Sequence, residues 1–103
     1  MIKTVFLVPV RDNCGNEFPA SLVEELEQQL LQFGGFSQRN DVSGAWEFQG
    51  TVYRDTSKEF TVSLQSWTQL EKWLNVVQWA KEKFRQEAIY IEVAGVPEII
   101  GQV

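Results

Sequence analysis

The sequence predicts an α+β fold of the ferredoxin-like type, a βαββαβ sandwich in which one antiparallel sheet carries two helices on one face. Three observations indicate it: an N-terminal run that is apolar on both alternating faces, two apolar stripes at helical spacing, and a tight-turn signal between two β-rich runs. With 103 residues, 44% of them hydrophobic and 22% charged, the chain is expected to form one domain over residues 1–103.

The first strand and the first helix have clear signals. Residues 4–10, TVFLVPV, are apolar in both alternations, which is typical of a central strand covered on both sides. A helix is predicted from Pro19 to Phe33, with Gly34 as its stop. It starts either with Ser21 and Glu24 as a capping box or with Pro19 in the first turn. Its apolar stripe consists of Leu22, Leu26, Leu30 and Phe33.

A β-hairpin follows, with its turn at Gln49 and Gly50. The expected cross-strand pairs are Phe48 with Thr51, Trp46 with Tyr53, and Gly44 with Asp55. Thr56 and Ser57 interrupt the alternation, so a bulge is expected there. Beyond it one face is apolar (Phe60, Val62, Leu64) and the other is polar (Thr61, Ser63, Gln65).

A second helix is predicted from Ser66 to Glu87, with Ser66 and Gln69 as a capping box. Its stripe consists of Leu70, Trp73, Leu74, Val77, Ala80 and Phe84, and it places Val76 and Trp79 on the opposite side as a second exposed patch. Residues 88–93 form the last strand, and the tail 94–103 is expected to pair at a sheet edge.

The predicted sheet leaves one face without helices. Tyr90 and Glu92 point to that face if Ile89 and Ile91 point to the helices, and the first strand adds apolar side chains. An exposed apolar strip usually marks an interface or a ligand groove. The alternatives are homodimer packing, a cleft between two such faces that holds a small molecule, and a site for a different protein.

Composition excludes several classes of function. The net charge is −5 and the pI about 4.6, which argues against a nucleic-acid-binding face. There is no histidine and only one cysteine, Cys14, so we expect no metal site, no cofactor and no internal disulfide. No apolar run is long enough to cross a membrane, and no secretion signal is recognisable, so a cytoplasmic location is expected.

Candidate site residues cluster near the hairpin. Arg54, Asp55 and Ser57 could form an anion clamp, with Arg54 as a bidentate donor, or a solvated pair of hairpin charges. Glu92 could act as a general base in a closed cavity, or simply face solvent, with Tyr90 beside it.

Three short motifs resemble a family of small bacterial proteins that is known as a domain of unknown function. They are Gly-x-Trp at Gly44 and Trp46, Arg-acid-x-Ser at Arg54 to Ser57, and Phe-x-Gln-Glu at residues 84–87. The resemblance spans about residues 33–93, and the family usually has Glu where this chain has Asp55. It implies no activity, but it draws attention to Trp46, Arg54, Ser57 and Gln86.

The resulting hypothesis is a non-enzymatic, homodimeric module that binds a small ligand or a protein partner. Its ligand-binding candidates are Trp46, Tyr53, Arg54, Asp55, Ser57, Gln86, Tyr90 and Glu92. The alternative is a cofactor-free enzyme of the oxygenase or isomerase type, with its site in a dimeric α+β barrel, by analogy of fold alone.

Overall fold

The computed structural model describes residues 1–101, which form five strands, two α-helices and two short 3-10 turns. The elements are β1 (Ile2–Pro9), α1 (Ala20–Leu30), β2 (Ser37–Phe48), β3 (Thr51–Leu64), α2 (Leu70–Lys83), β4 (Ala88–Val93) and β5 (Val96–Gly101). No helix in this part of the chain is both long and apolar enough to span a membrane.

The five strands form one antiparallel sheet in the order β2-β3-β1-β4-β5. The predicted ferredoxin-like α+β fold is confirmed, with β1 between β3 and β4. The prediction that the tail pairs at an edge is also confirmed, because β5 adds a fifth strand beside β4. Residues 102 and 103 lie outside the described residues.

Both helices pack on one side of the sheet, where the core lies. Every second residue of β1 points to this side, and Phe6 stacks on Phe60 at 5.2 Å and meets Trp73 edge-on at 6.1 Å. The one polar residue of β1 on this side, Thr4, is buried and donates from Oγ1 to the Val62 carbonyl at 2.7 Å. Strand β1 is central because it pairs with β3 and β4, and its helix-side residues are buried.

Both helices lie within the predicted ranges but are shorter, and their predicted capping boxes are wrong. Helix α1 is capped by Pro19, whose carbonyl accepts from the Leu22 amide, and Ser21 lies inside the first turn, so the Ser21–Glu24 box is wrong. The second box is also wrong in detail. Gln69 Oε1 accepts from the Gln65 amide at 2.7 Å, and a 3-10 turn precedes α2.

Helix α2 differs from prediction in its buried arc and in its end. Val76 is 4% exposed and Trp79 is half-buried against the core, so the predicted second exposed patch is wrong. The helix ends at Lys83 rather than Glu87. Arg85 takes a left-handed conformation (φ 53°), and the Gln86 amide donates to the Lys81 carbonyl at 2.8 Å, which is a Schellman ending.

The hairpin register is confirmed at each predicted pair, from Phe48–Thr51 through Trp46–Tyr53 to Gly44–Asp55. Gln49 and Gly50 both have positive φ, as a two-residue hairpin turn requires. The bulge at Thr56–Ser57 is wrong. Strand β3 continues without a break, and the extra residue lies in β2 between Arg39 and Val42, where Asp41 has φ 57°.

The end of the hairpin projects beyond the rest of the sheet. Strand β1 pairs with β3 only as far as Pro9 and Ser57, so residues 43–55, here called the arm, form a two-stranded ribbon. Four large side chains of the arm are between 44% and 55% exposed: Trp46, Phe48, Val52 and Tyr53. An isolated two-stranded ribbon is marginally stable in water, so such a surface is expected to be covered by a ligand or a partner.

Candidate functional site

A groove of about 700 Å³ lies at the base of the arm, between the arm and the loop that follows β1. This arm groove is lined by Pro9, Val10, Arg11, Asp12, Asn13, Ser43, Gly44, Trp46, Tyr53, Arg54, Asp55, Thr56 and Gln86. It thus brings together five of the residues selected from the sequence. Its volume falls within the range of roughly 300–1,000 Å³ that is usual for small-molecule sites.

The loop wall of the groove is held by its own hydrogen bonds. Asp12 Oδ1 accepts from the amides of Cys14 and Asn16, each at 2.9 Å, and the Asp12 amide donates to the Asn16 carbonyl at 2.8 Å. The amide of Asn16, more than any other group, holds the pKa of Asp12 below its ordinary value. Arg11 and Glu17 close the loop as a β-bridge, with their charged groups 3.8 Å apart.

The arm wall presents different side chains to the two sides of the sheet. Arg54 lies on the helix side, because it shares the parity of Phe60, whereas Tyr53 and Asp55 lie on the helix-free side. The groove lies at the edge of β3, so residues from both sides of the sheet line it. The rings of Trp46 and Tyr53 stack at 4.7 Å with an interplanar angle of 22°. This cross-strand pair stiffens the ribbon and borders the groove with aromatic surface.

Two polar side chains of the groove differ in whether they already have a hydrogen-bond partner. Gln86 donates from Nε2 to the Phe84 carbonyl at 2.7 Å, which orients its side chain and leaves its amide oxygen as an acceptor. Arg54 makes neither a salt bridge nor a side-chain hydrogen bond to any residue in 1–101. Its guanidinium is therefore the cation at this groove that is free to bind an anionic ligand.

Three candidate residues lie elsewhere. Ser57 is 6% exposed and sits between Pro9 and Val42 in the sheet, so it does not line the groove. Tyr90 and Glu92 lie on the helix-free face of β4, as predicted, because Ile89 and Ile91 are buried on the helix side. The structure thus divides the predicted set between the arm groove and the helix-free face.

The helix-free face carries a small cluster of ionisable groups. Burial raises the pKa of Tyr90 above its ordinary value, and the negative charge of neighbouring Glu92 raises it further. Glu59, across β1 from Tyr90, acts in the same direction and pairs with Arg39 at 3.8 Å. Within residues 1–101, no three acidic or cysteine side chains come together as a metal site would require.

Sequence reasoning missed the loop wall of the arm groove, formed by Arg11, Asp12 and Asn13. The signal available was the position of this loop, since it follows the strand that was predicted to lie beside the hairpin. It also missed a second groove of about 590 Å³ between α1 and the sheet, with an apolar floor and a mostly acidic rim. The rim holds Arg11, Glu17, Glu24, Glu27, Asp41 and Lys58.

The fold has counterparts among solved structures. A phage SAM lyase in complex with S-methyl-5'-thioadenosine is similar over 98% of this chain and 89% of its own, with a TM-score of 0.68 and 14% identity. A phage SAM lyase in the apo state has a TM-score of 0.64 and 14% identity over 98% of this chain and 89% of its own. The divalent ion tolerance protein CutA1 from Ehrlichia chaffeensis has a TM-score of 0.45 and 10% identity over 96% of this chain and 76% of its own.

At these identities the likeness is one of fold. No protein-family model matches the chain, and no curated protein matches it.

Proposed function

We propose that the protein is a homodimeric module that binds a small molecule in the arm groove. The observation that carries the proposal is the convergence at this groove of a hydrogen-bonded loop, an aromatic pair and the Arg54 guanidinium, which has no salt-bridge partner within residues 1–101. Ligand sites typically combine such apolar surface with a few fixed polar groups. The groove is partly open to solvent, which supports a site that a second copy of the chain completes.

The chemistry of the lining favours a ligand with an anionic group and a flat ring. Arg54 is suited to a carboxylate, because its guanidinium offers two parallel N–H donors. Trp46 and Tyr53 offer aromatic surface to a ring, and Asp55 offers a carboxylate to a positive charge. A Cβ at Gly44 would lie 3.0 Å from Asp55 Oδ1, so the glycine makes room for this carboxylate over the backbone of the arm.

The similar fold of the phage SAM lyase supplies the first compounds to test. SAM carries an adenine ring, a sulfonium and an amino-acid end with both a carboxylate and an ammonium group. S-methyl-5'-thioadenosine carries the same ring but has neither the sulfonium nor the amino-acid end. If Arg54 binds the carboxylate, the two compounds distinguish the role of Arg54 from that of the aromatic surface.

The experiment is isothermal titration calorimetry of the wild-type protein with each compound, repeated with Arg54→Gln and with Trp46→Ala. We expect SAM to bind, and Arg54→Gln to weaken it at least about tenfold, since a hydrogen bond to a charged group contributes about 1.5–3 kcal/mol. S-methyl-5'-thioadenosine binding should change little in Arg54→Gln, but both compounds should be weakened by Trp46→Ala.

A matched control is Arg39→Gln, which removes a guanidinium from the body of β2 outside the groove. Equal weakening by Arg39→Gln and Arg54→Gln would show a general charge effect and would contradict the site. Failure of both compounds to bind would reject this ligand class. A screen of small carboxylates that carry an aromatic ring would then decide whether the groove binds any ligand of the proposed chemistry.

A second candidate function is a cofactor-free enzyme, which the cluster on the helix-free face favours. Tyr90 with a raised pKa remains a proton donor at neutral pH, and Glu92 beside it is an acceptor, so the pair could move a proton. The test is prolonged incubation of the protein with SAM, followed by chromatographic analysis of the products. Turnover that is lost in both Tyr90→Phe and Glu92→Gln would support an enzyme, whereas an unchanged substrate would count against it.

A further inference from the structure

The arm has a free strand edge of five residues. Strand β1 bonds to β3 as far as Ser57, and the Val10 amide donates to the Thr56 carbonyl at 3.0 Å, after which the chain turns away. Residues 51–55 of β3 pair with β2 on one side only. No backbone hydrogen bond within residues 1–101 joins the other side of this segment to a different part of the chain. Such an edge is a template for another strand.

The groups that point outward from this edge can be identified from the register. Because the Thr56 carbonyl points toward β1, residues of the same parity, Val52 and Arg54, direct both their N–H and C=O groups to the free side. Thr51, Tyr53 and Asp55 direct theirs to β2. The free edge therefore offers two donors and two acceptors.

The segment is bounded at both ends, and this fixes its centre. At one end the Gln49–Gly50 turn reverses the chain, and at the other Val10 occupies the place opposite Thr56. The midpoint of residues 51–55 is Tyr53. A second copy related by a two-fold axis through Tyr53 would use the whole free edge, because symmetric pairing places each residue opposite its mirror position.

The same register is the one that the charges favour. It places Tyr53 opposite the partner's Tyr53, Val52 opposite the partner's Arg54, and Thr51 opposite the partner's Asp55. A register centred on Arg54 would put the two Arg54 side chains directly opposite each other. A register centred on Asp55 would put the two Asp55 side chains opposite each other. Like charges in such positions are destabilising. Registers centred earlier leave part of the free edge unpaired.

We infer that two copies of the chain associate through the free edges of their arms, in an antiparallel pair centred on Tyr53. Val52 of each copy exchanges two hydrogen bonds with the partner's Arg54, and the four strands of the two arms form one ribbon. This arrangement deepens the proposed function, since the partner's strand ends at the partner's Thr51, opposite Asp55, and the partner's turn then lies next to Val10, where it gives the open arm groove a further wall. It can be tested without any ligand.

The first test uses proline to remove one outward donor. Val52→Pro removes an N–H that points to the free edge, whereas Ala45→Pro removes the equivalent outward N–H on the opposite edge of the same arm. Sedimentation velocity at about 100 µM, where even a modest interface associates, should show a dimer for the wild type and for Ala45→Pro. Val52→Pro should be a monomer with unchanged circular dichroism.

The second test examines the register itself. Tyr53→Asp and Tyr53→Lys should each be monomeric, because each places like charges opposite one another across the two-fold axis. A mixture of the two variants should form a heterodimer, since the charges are then opposite in sign. Native mass spectrometry distinguishes this heterodimer from either homodimer, and high salt should weaken it.

Three results would overturn the inference: a monomeric wild type, a dimer that survives Val52→Pro, and a mixture of the Tyr53 variants that stays monomeric. Ligand binding is tested separately, because ligand binding by a monomeric wild type would leave the groove as a binding site while it rejects the pairing and the homodimeric part of the proposed function. A dimer that pairs as described but binds no ligand of the proposed class would reject the ligand and leave the interface.

Discussion

Replacing Trp73 by phenylalanine should change the stability of the protein far less than an ordinary truncation of a core aromatic residue. Trp73 is fully buried, and its Nε1 is the one buried side-chain polar atom without a hydrogen-bond partner among the described residues. A buried donor without a partner costs about 1–3 kcal/mol. Trp73→Phe removes that donor while it keeps an aromatic ring next to Phe6.

The loss of side-chain volume acts in the opposite direction and destabilises the Trp73→Phe variant. Phenylalanine is smaller than tryptophan by roughly 40 Å³, which at about 24 cal/mol per Å³ of residual cavity amounts to about 1 kcal/mol. The apolar area that is no longer buried adds a further 1 kcal/mol or so at about 25 cal/mol per Å². The expected loss of about 2 kcal/mol nearly equals the gain from removing the unpaired N–H donor. The net change in the free energy of unfolding should therefore lie within about 1 kcal/mol of zero.

The assay is urea unfolding followed by far-ultraviolet circular dichroism, with Phe84→Leu as the control. Phe84 is also buried and packs edge-on against Phe18 at 4.8 Å, but it carries no polar atom, so its truncation should cost about 1–2 kcal/mol with nothing to offset it. A loss of 3 kcal/mol or more in Trp73→Phe would refute the reasoning. It would mean that the indole N–H makes a stabilising contact, for example with an aromatic face.

Three further predictions concern titration and backbone strain. The pKa of Asp12 is lowered, so the stability that this carboxylate contributes is present above its unfolded-state pKa and is lost as the pH falls through its folded-state pKa. In an NMR titration the amide signals of Cys14 and Asn16 should shift with a midpoint below the usual aspartate range. A midpoint at or above that range would contradict the prediction. The pKa of Tyr90 is raised, so the contribution of Tyr90 to stability is complete below its unfolded-state pKa and is lost as the pH rises through its folded-state pKa. Glu92→Gln should move the ultraviolet titration of Tyr90 to lower pH, whereas Glu98→Gln should leave it unchanged. Arg85→Gly should stabilise the protein by about 1 kcal/mol, because glycine takes the left-handed position of the Schellman ending without strain; an unchanged or lower Tm would show that the arginine side chain contributes contacts of its own.

The parts of the fold that were predictable are those encoded by local chemistry. The Gln49–Gly50 turn fixes which residues of the hairpin face each other, and the pairs Trp46–Tyr53 and Gly44–Asp55 follow by counting. The two faces of β4 follow in the same way from the alternation of Ile89, Tyr90 and Ile91.

The errors arise where distant segments decide the outcome. Val76 was assigned to an exposed side because periodicity describes one stripe, whereas α2 packs against both the sheet and α1 and so buries a wider arc. The bulge was placed in β3 because Thr56 and Ser57 are polar. The third strand beside them, β1, keeps β3 regular, and the extra residue lies in β2, which forms the edge.

The candidate site was predictable only in part, for the same reason. The arm residues share a contiguous, patterned stretch, so Trp46, Tyr53, Arg54 and Asp55 could be selected together. Arg11, Asp12 and Asn13 reach the same groove because β1 ends beside Ser57, a register that no local signal specifies. Ser57 was misplaced as a ligand candidate because the sequence does not reveal that β1 and β2 cover it on both sides.

The central position of β1 has a consequence during synthesis on the ribosome. This strand is made before both of its partner strands, since Phe6 pairs with Phe60 on one side and Ile91 on the other. At about 5–20 residues per second, roughly 3–11 s pass between the addition of Phe6 and that of Phe60, and the exit tunnel lengthens the interval. Throughout it a strand that is apolar on both faces has no partner in its own chain. A nascent chain of this protein is therefore expected to need shielding of β1 by a chaperone until the hairpin has emerged.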